Sequence, residues 1–184
     1  MEAVPSGPVL IAYDGSDAAD DAIRQAGPLV GGRPALVVVV WKAGLGFELL
    51  ELPASTIGLP PAAIDIRTAL EIDAAMSERA QRMARVGAGL AREVGFEPAE
   101  GLAVAEDLEI PVSETIVRVA RERDAQAIVL GAHGHGRLGE VLLGSTSRDV
   151  IRHAPCPVVV ARPVKPDAAT AAPSRSRTRE VAGP

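Results

Sequence analysis

The run "ALVVVVW" at Ala35–Trp41 is the most informative stretch for the fold. Every residue in it is apolar, and the four successive valines favour an extended strand. A strand that alternates apolar and polar residues buries one face, whereas a continuous apolar run buries both faces. Burial on both faces is typical of a parallel sheet that helices cover on each side, so this run predicts an α/β fold.

Other short apolar runs alternate with segments of helical periodicity along the rest of the chain. The further predicted strands are Pro8–Tyr13, Ala99–Glu106, Ala125–Ala132 and Cys156–Arg162. Helices are predicted after Ser16, from about Ile66 to Val94, after Ser113 and over Ser145–Ala154, with Ser16 and Ser113 as N-caps and Gly95 as a C-cap. Because strands alternate with helices, we expect a three-layer α/β/α sandwich. Its five-stranded parallel sheet would be the open twisted sheet of Rossmann-like folds.

Two segments fall outside this pattern. Residues 42–65 are rich in Gly and Pro and predict a long loop, and we expect this loop to close over a ligand. From Lys165 to Pro184 the composition shifts to Ala, Pro, Ser, Thr and Arg, which cannot bury a core. The predicted organisation is therefore one domain over residues 1–164 and a disordered tail over residues 165–184.

Composition narrows the possible partners and the cellular setting. The formal net charge of −5 argues against nucleic acid or an anionic membrane as the main partner. No apolar run approaches the roughly 20 residues of a spanning helix, and the N-terminus does not resemble a signal peptide. Cys156 is the single cysteine, so an internal disulfide is impossible and a cytoplasmic setting is favoured. We expect Cys156 to be a buried structural thiol.

The glycine-rich stretch "LGAHGHGRLGEVLLGSTS" follows the fourth predicted strand and fits three nucleotide-binding patterns. Gly134–Gly139 matches G-x-G-x-x-G, but it lies in the last βα unit and no acid ends the next strand. Gly139–Thr146 matches a P-loop except for its lysine. The third pattern uses Gly131 and Gly134, then Gly144-Ser145 after nine residues. Its glycines permit close backbone approach to a ligand, and its end is a helix N-terminus suited to an anion.

The third spacing resembles the ATP-binding signature of the universal stress protein family. "VLIAYDGSDAADDAI" also resembles the opening strand, Asp-Gly-Ser turn and first helix of that family, and "DAQAIVLGAHGHGRLGEVLLGSTSRDVIRHAPCPVVVAR" resembles its closing third. The resemblance covers roughly Val9 to Arg162. It implies that residues 1–164 form a nucleotide-binding domain. ATP would lie across the carboxyl edge of the sheet, with Mg²⁺ or Mn²⁺ held through the phosphates.

The same resemblance assigns residues to the ligand. Ala12 and Asp14 would flank the adenosine, the backbone of Val40 would read the adenine edge, and Leu130 would pack against the base or ribose. Asp14 has a second interpretation, as the acceptor of an Asx-turn, and the two loop histidines have one as solvent-facing residues. No catalytic residue and no protein metal site is predicted. The expected contacts on the ribose and phosphate side are Gly131, Ala132, His133, Gly134, His135, Gly136, Arg137, Gly144, Ser145, Thr146 and Ser147.

The resemblance implies an ATP-binding regulator of a stress or dormancy response. It also implies a homodimer formed through the last strand, Pro157–Arg162, whose apolar edge needs cover. Two alternatives stay open. One is a weak ATPase on the same scaffold, with at most slow hydrolysis, because no residue spacing demands catalysis. The other is a nucleotide-free dimer that recruits an unknown protein partner.

Overall fold

The computed structural model describes residues 7–51, 65–132 and 143–162 of the chain. The predicted tail over residues 165–184 lies outside these ranges. The described strands are β1 Val9–Ala12, β2 Ala35–Lys42, β3 Ala99–Glu106, β4 Ala127–Gly131 and β5 Val158–Ala161. The described helices are α1 Asp17–Val30, α2 Leu45–Glu51, α3 Ile66–Glu93, α4 Val112–Glu122 and α5 Ser145–His153.

All five strands pair in parallel in the order β3-β2-β1-β4-β5, which confirms the predicted sheet. The chain steps outward from β1 through β2 to β3, and then returns to place β4 on the other side of β1. The strand order therefore reverses between β1 and β4. In open α/β sheets, ligands bind beyond the carboxyl ends of the strands at such a reversal.

Helices cover both faces of the sheet, and side-chain alternation along β1 shows how. Val9 and Ile11 belong to a core cluster that includes residues of α1 and α3, whereas Leu10 belongs to a cluster with residues of α4 and α5. Successive side chains of a strand point to opposite faces, so two covered faces require an uninterrupted apolar run. This is the three-layer α/β/α sandwich that the sequence predicts.

The first part of the predicted loop over residues 42–65 is wrong, because α2 forms within it. Asp73 on α3 accepts the backbone N–H groups of Gly44 at 2.7 Å and Gly46 at 3.0 Å. Backbone N–H groups at a helix start have no partner inside the helix, and here a distant carboxylate supplies one. The neighbouring sequence gives no sign of this cap. Residues 52–64, and the expected closure over a ligand, lie outside the described residues.

The predicted N-cap at Ser113 is also wrong. Helix α4 begins at Val112 after Pro111, which has φ −60° and ψ 139° and makes no side-chain capping bond. Proline has φ fixed near this value and has no N–H to leave unsatisfied, so it can precede a helix directly. Ser113 therefore lies inside the first turn, where it is 7% exposed.

Cys156 is half-buried and packs against the core cluster under α4 and α5. The expectation of a buried thiol therefore holds only in part. Burial raises the pKa of the Cys156 thiol, which favours the protonated and less reactive form. Among the described helices, none is long and apolar enough to cross a membrane.

Candidate functional site

Several predicted site residues meet at the carboxyl edge of the sheet where the strand order reverses. Ala12 ends β1 and Gly131 ends β4, and the two strands pair in register up to Ile11 and Val129. The backbone of Leu130 is at the same edge, but its side chain is 4% exposed and packs in the core under α4 and α5. The ends of β1 and β4 are therefore formed by backbone and small residues.

The turn after β1 is held by its own side chains. Asp14 Oδ1 accepts the backbone N–H of Ser16 at 3.0 Å and the hydroxyl of Ser16 at 2.6 Å. Ser16 Oγ in turn accepts the N–H of Ala19 at 3.2 Å, which confirms Ser16 as the N-cap of α1. Asp14 thus makes an Asx-type contact, and its predicted contact with adenosine stays a prediction. Between the two residues, Gly15 has φ +76°, a conformation that glycine adopts readily.

The Tyr13 side chain connects this turn to α1. It is 7% exposed, and its hydroxyl donates to Oδ1 of Asp20, in the first turn of α1, at 2.7 Å. Burial and the Asp20 carboxylate together raise the pKa of the Tyr13 hydroxyl far above its ordinary value, so it remains a donor. The sequence offers no local signal for this bond, because its partner is seven residues away on a different element.

Val40 lies beyond the end of β1, at the same edge. The register between β1 and β2 ends with Ala12 opposite Val38, and Tyr13 N–H donates to the Val38 carbonyl at 2.9 Å. Beyond that point β2 continues to Lys42 alongside β3. The backbone of Val40 therefore lies two residues beyond the last pair with β1, and its contact with the adenine edge stays a prediction.

Helix α5 begins beside the end of β4. Gly144 is its N-cap, with φ −57° and ψ 158°, and its N–H donates to the Ala132 carbonyl at 2.9 Å. No described side chain caps this helix. The first N–H groups of a helix lack partners within it and carry a partial positive charge, so they suit an anion. Ser145 is exposed and Thr146 is half-buried at this N-terminus.

Ser147 has a different environment from its two neighbours. It is 5% exposed, and its hydroxyl donates to the Gly131 carbonyl at 2.9 Å. The structure therefore brings together Gly131, Ala132, Gly144 and Ser147, which are separated in the sequence by the glycine-rich loop. His133, Gly134, His135, Gly136 and Arg137 lie outside the described residues.

The described ranges contain no group of three or more His, Cys, Asp or Glu side chains placed to hold a metal ion. The carboxylate at the end of β3 belongs to a structural ion pair. Glu106 at the end of β3 accepts hydrogen bonds from Arg118 at 2.6 Å and from the buried Thr115 at 2.9 Å. The bonds from Arg118 and Thr115 lower the pKa of the Glu106 carboxyl.

A family model described as the universal stress protein family matches residues 6–162. The chain belongs to the universal stress protein family. A universal stress protein of Thermus aquaticus is 31% identical over 154 residues, which cover 84% of this chain and 97% of the relative. The match ends at Arg162, close to the end of β5.

Solved structures of universal stress proteins share the fold. MJ0577 of Methanocaldococcus jannaschii superimposes with a TM-score of 0.65 at 20% identity, covering 89% of this chain and 100% of that protein. A universal stress protein solved in complex with cAMP has a TM-score of 0.54 at 19% identity, covering 85% of this chain and 97% of that one. At these identities the likeness establishes the fold of this universal stress protein.

Proposed function

We propose that this universal stress protein binds ATP at the edge where β1 and β4 end, and that nucleotide occupancy regulates a stress or dormancy response. The observation that carries the proposal is the glycine-capped start of α5 beside the carboxyl end of β4. Two hydrogen bonds, from Gly144 to Ala132 and from Ser147 to Gly131, hold this helix end at the strand reversal. A helix N-terminus at that position is a suitable phosphate site.

The rest of the edge suits an adenosine. In the proposed pose the phosphates lie on Gly144, Ser145 and Thr146, and the adenosine extends across the ends of β1 and β2. There it meets Ala12, Asp14 and the backbone of Val40. The divalent cation, Mg²⁺ or Mn²⁺, binds through the phosphates, where it offsets the charge of a triphosphate on a chain of net charge −5. The neighbour solved with cAMP supports the proposal, because it is a protein of the same fold in complex with an adenine nucleotide.

The proposed assembly is a homodimer through Pro157–Arg162. β5 is an outer strand of the sheet, and Val158, Val159 and Val160 are all half-buried rather than buried. An apolar outer strand favours cover by a second copy. The proposed setting is the cytoplasm, where a lone cysteine stays reduced. A strict monomer at micromolar concentration, measured by size-exclusion chromatography with light scattering, would refute the dimer.

Two measurements test the nucleotide proposal. Native mass spectrometry of the purified protein reports any nucleotide carried through purification, together with the mass of the assembly. Calorimetric titration with ATP and Mg²⁺ then gives the affinity, with GTP as the matched control because it differs only in the base. We expect saturable ATP binding that is at least tenfold tighter than GTP binding. Absence of ATP binding would overturn the proposal, and steady ADP formation in the same sample would favour the weak ATPase.

A further inference from the structure

The hydrogen bond between Ser147 and Gly131 joins a side chain in the first turn of α5 to the backbone at the end of β4. Gly131 is the last residue of β4, and it lies two residues beyond Val129, the last residue of β4 that pairs with β1. Ser147 is in the first turn of α5 and is 5% exposed. Its hydroxyl reaches that carbonyl at 2.9 Å, so a buried side chain of the helix holds the end of the strand.

We infer that the Ser147 hydroxyl positions the start of α5 for phosphate binding and is not itself a phosphate ligand. This inference rests on the proposed function. A serine hydroxyl has one hydrogen, and once that hydrogen is donated to a carbonyl it is not available to a phosphate oxygen. Ser145 is exposed and Thr146 is half-buried, whereas Ser147 is buried. The Ser147 hydroxyl therefore acts through the helix that it anchors.

The anchoring uses two points. Gly144 N–H donates to the Ala132 carbonyl at 2.9 Å, and Ser147 Oγ donates to the Gly131 carbonyl at 2.9 Å. The two donors are one helical turn apart, and the two acceptors are consecutive residues at the strand end. Two attachments fix both the position and the direction of the first turn, whereas one attachment leaves a pivot. Because hydrogen bonds weaken steeply with misalignment, a pivoting turn presents its N–H groups poorly to a phosphate.

Hydrogen exchange in the ligand-free protein tests the anchoring directly. The N–H groups of Gly144 and Arg148 are reporters, since each donates to a backbone carbonyl, Ala132 at 2.9 Å and Gly144 at 3.0 Å respectively. In Ser147→Ala both should exchange at least tenfold faster, while Ser147→Thr, which keeps the hydroxyl, restores slow exchange. Ser113→Ala is the matched control, because Ser113 is also a buried serine in the first turn of a helix, at 7% exposure. Unchanged exchange in Ser147→Ala would overturn the inference.

Binding measurements separate positioning from a general structural role. Calorimetric titrations of each variant with ATP and Mg²⁺, and with adenosine, should show ATP affinity reduced at least tenfold in Ser147→Ala and adenosine affinity within twofold of wild type. Ser147→Thr and Ser113→Ala should match wild type for both ligands. Equal losses for ATP and adenosine, or no loss for either, would overturn the positioning role alone.

Two safeguards keep these outcomes distinct. Ser147→Cys is nearly isosteric and a weaker donor, so it should show the same pattern if Ser147→Ala does not fold. A wild-type protein that binds no ATP would instead overturn the proposed function, and with it the role of Ser147 in phosphate binding. That result is separable from the failure of the inference alone, because the latter requires a wild-type protein that binds ATP normally.

Discussion

Two helices start at the same edge of the sheet, and their N-termini are built in opposite ways. Helix α1 follows Asp14, which accepts from Ser16, and Ser16 in turn accepts the N–H of Ala19. The first turn of α1 also carries Asp17 and Asp20. Helix α5 follows Gly144 and has no acidic residue in its first turn. The positive end of α1 is thus balanced by carboxylates of the chain, whereas no described carboxylate balances that of α5. The contrast explains why a phosphate is proposed at α5 and not at α1.

The largest expected effect comes from making the start of α5 resemble that of α1. In Gly144→Asp the new carboxylate caps the first turn, and the backbone angles of φ −57° and ψ 158° permit any residue there. We expect ATP affinity to fall at least 100-fold, about 2.7 kcal/mol, because the carboxylate occupies the N–H groups and repels phosphate. The helix itself should gain a few tenths of a kcal/mol. Calorimetry and urea unfolding measure the two effects on one sample.

Gly144→Ser is the matched control for that substitution. It adds a neutral cap of similar strength, so it should lower ATP affinity less than the aspartate does while stabilising the helix equally. If Gly144→Asp binds ATP as well as the wild type does, the helix terminus is not the phosphate site.

The next effect concerns the acidic start of α1. Asp14→Ala removes the acceptor of the Ser16 N–H and hydroxyl, and we expect the free energy of unfolding to fall by about 1–2 kcal/mol. Asp14→Asn retains an acceptor oxygen and should lose less than half as much. Urea denaturation of the three proteins in parallel measures the difference. Equal losses in both variants would show that charge, and not the hydrogen bonds, stabilises this turn.

A smaller effect is expected at Gly15, which gives the α1 turn its shape. Its φ of +76° strains any side chain, and a Cβ there would lie 3.2 Å from the Met83 side chain. Gly15→Ala should therefore lower the free energy of unfolding by about 1 kcal/mol, since the flexible methionine can move aside. Gly32→Ala is the matched control, because Gly32 has φ +74° with open space around it. Both variants share the strain of a positive φ, so the difference between their losses in free energy of unfolding measures the contribution of the Met83 contact.

The smallest effect concerns Glu106 at the end of β3, whose carboxylate is paired with Arg118 of α4. The pKa of Glu106 is lowered by its bonds with Arg118 and Thr115. A lowered pKa contributes stability above the ordinary carboxyl range, and this stability is lost as the pH falls through the folded value. Arg118→Ala should raise the pKa of Glu106, and the free energy of unfolding should then depend less on pH below about pH 5. An NMR titration of the Glu106 carboxyl carbon measures the pKa in both proteins, and an unchanged value would show that Arg118 does not hold it.

Much of the fold follows from local patterns. β3 forms over the predicted residues Ala99–Glu106, and β2 extends the predicted run by one residue to Lys42. Ser16 caps α1 as expected, because its hydroxyl needs only the N–H of Ala19, three residues away. The same kind of local signal is misleading at Ser113, because the helix already begins at Val112, directly after Pro111. Local signals are therefore reliable where the partner is near and no neighbouring residue competes.

The sequence by itself determined the parallel sheet, the cap of α1 and the glycine spacing that points to a nucleotide. Only the tertiary structure decided that Asp73 caps α2 from 27 residues beyond Gly46, and that Ser147 holds Gly131 across 16 residues. Periodicity and local capping depend on neighbours within one or two turns, so they can be predicted from the sequence alone. Contacts between the end of one strand and the start of a distant helix exist only after the strand order brings those ends together, and no local pattern encodes them.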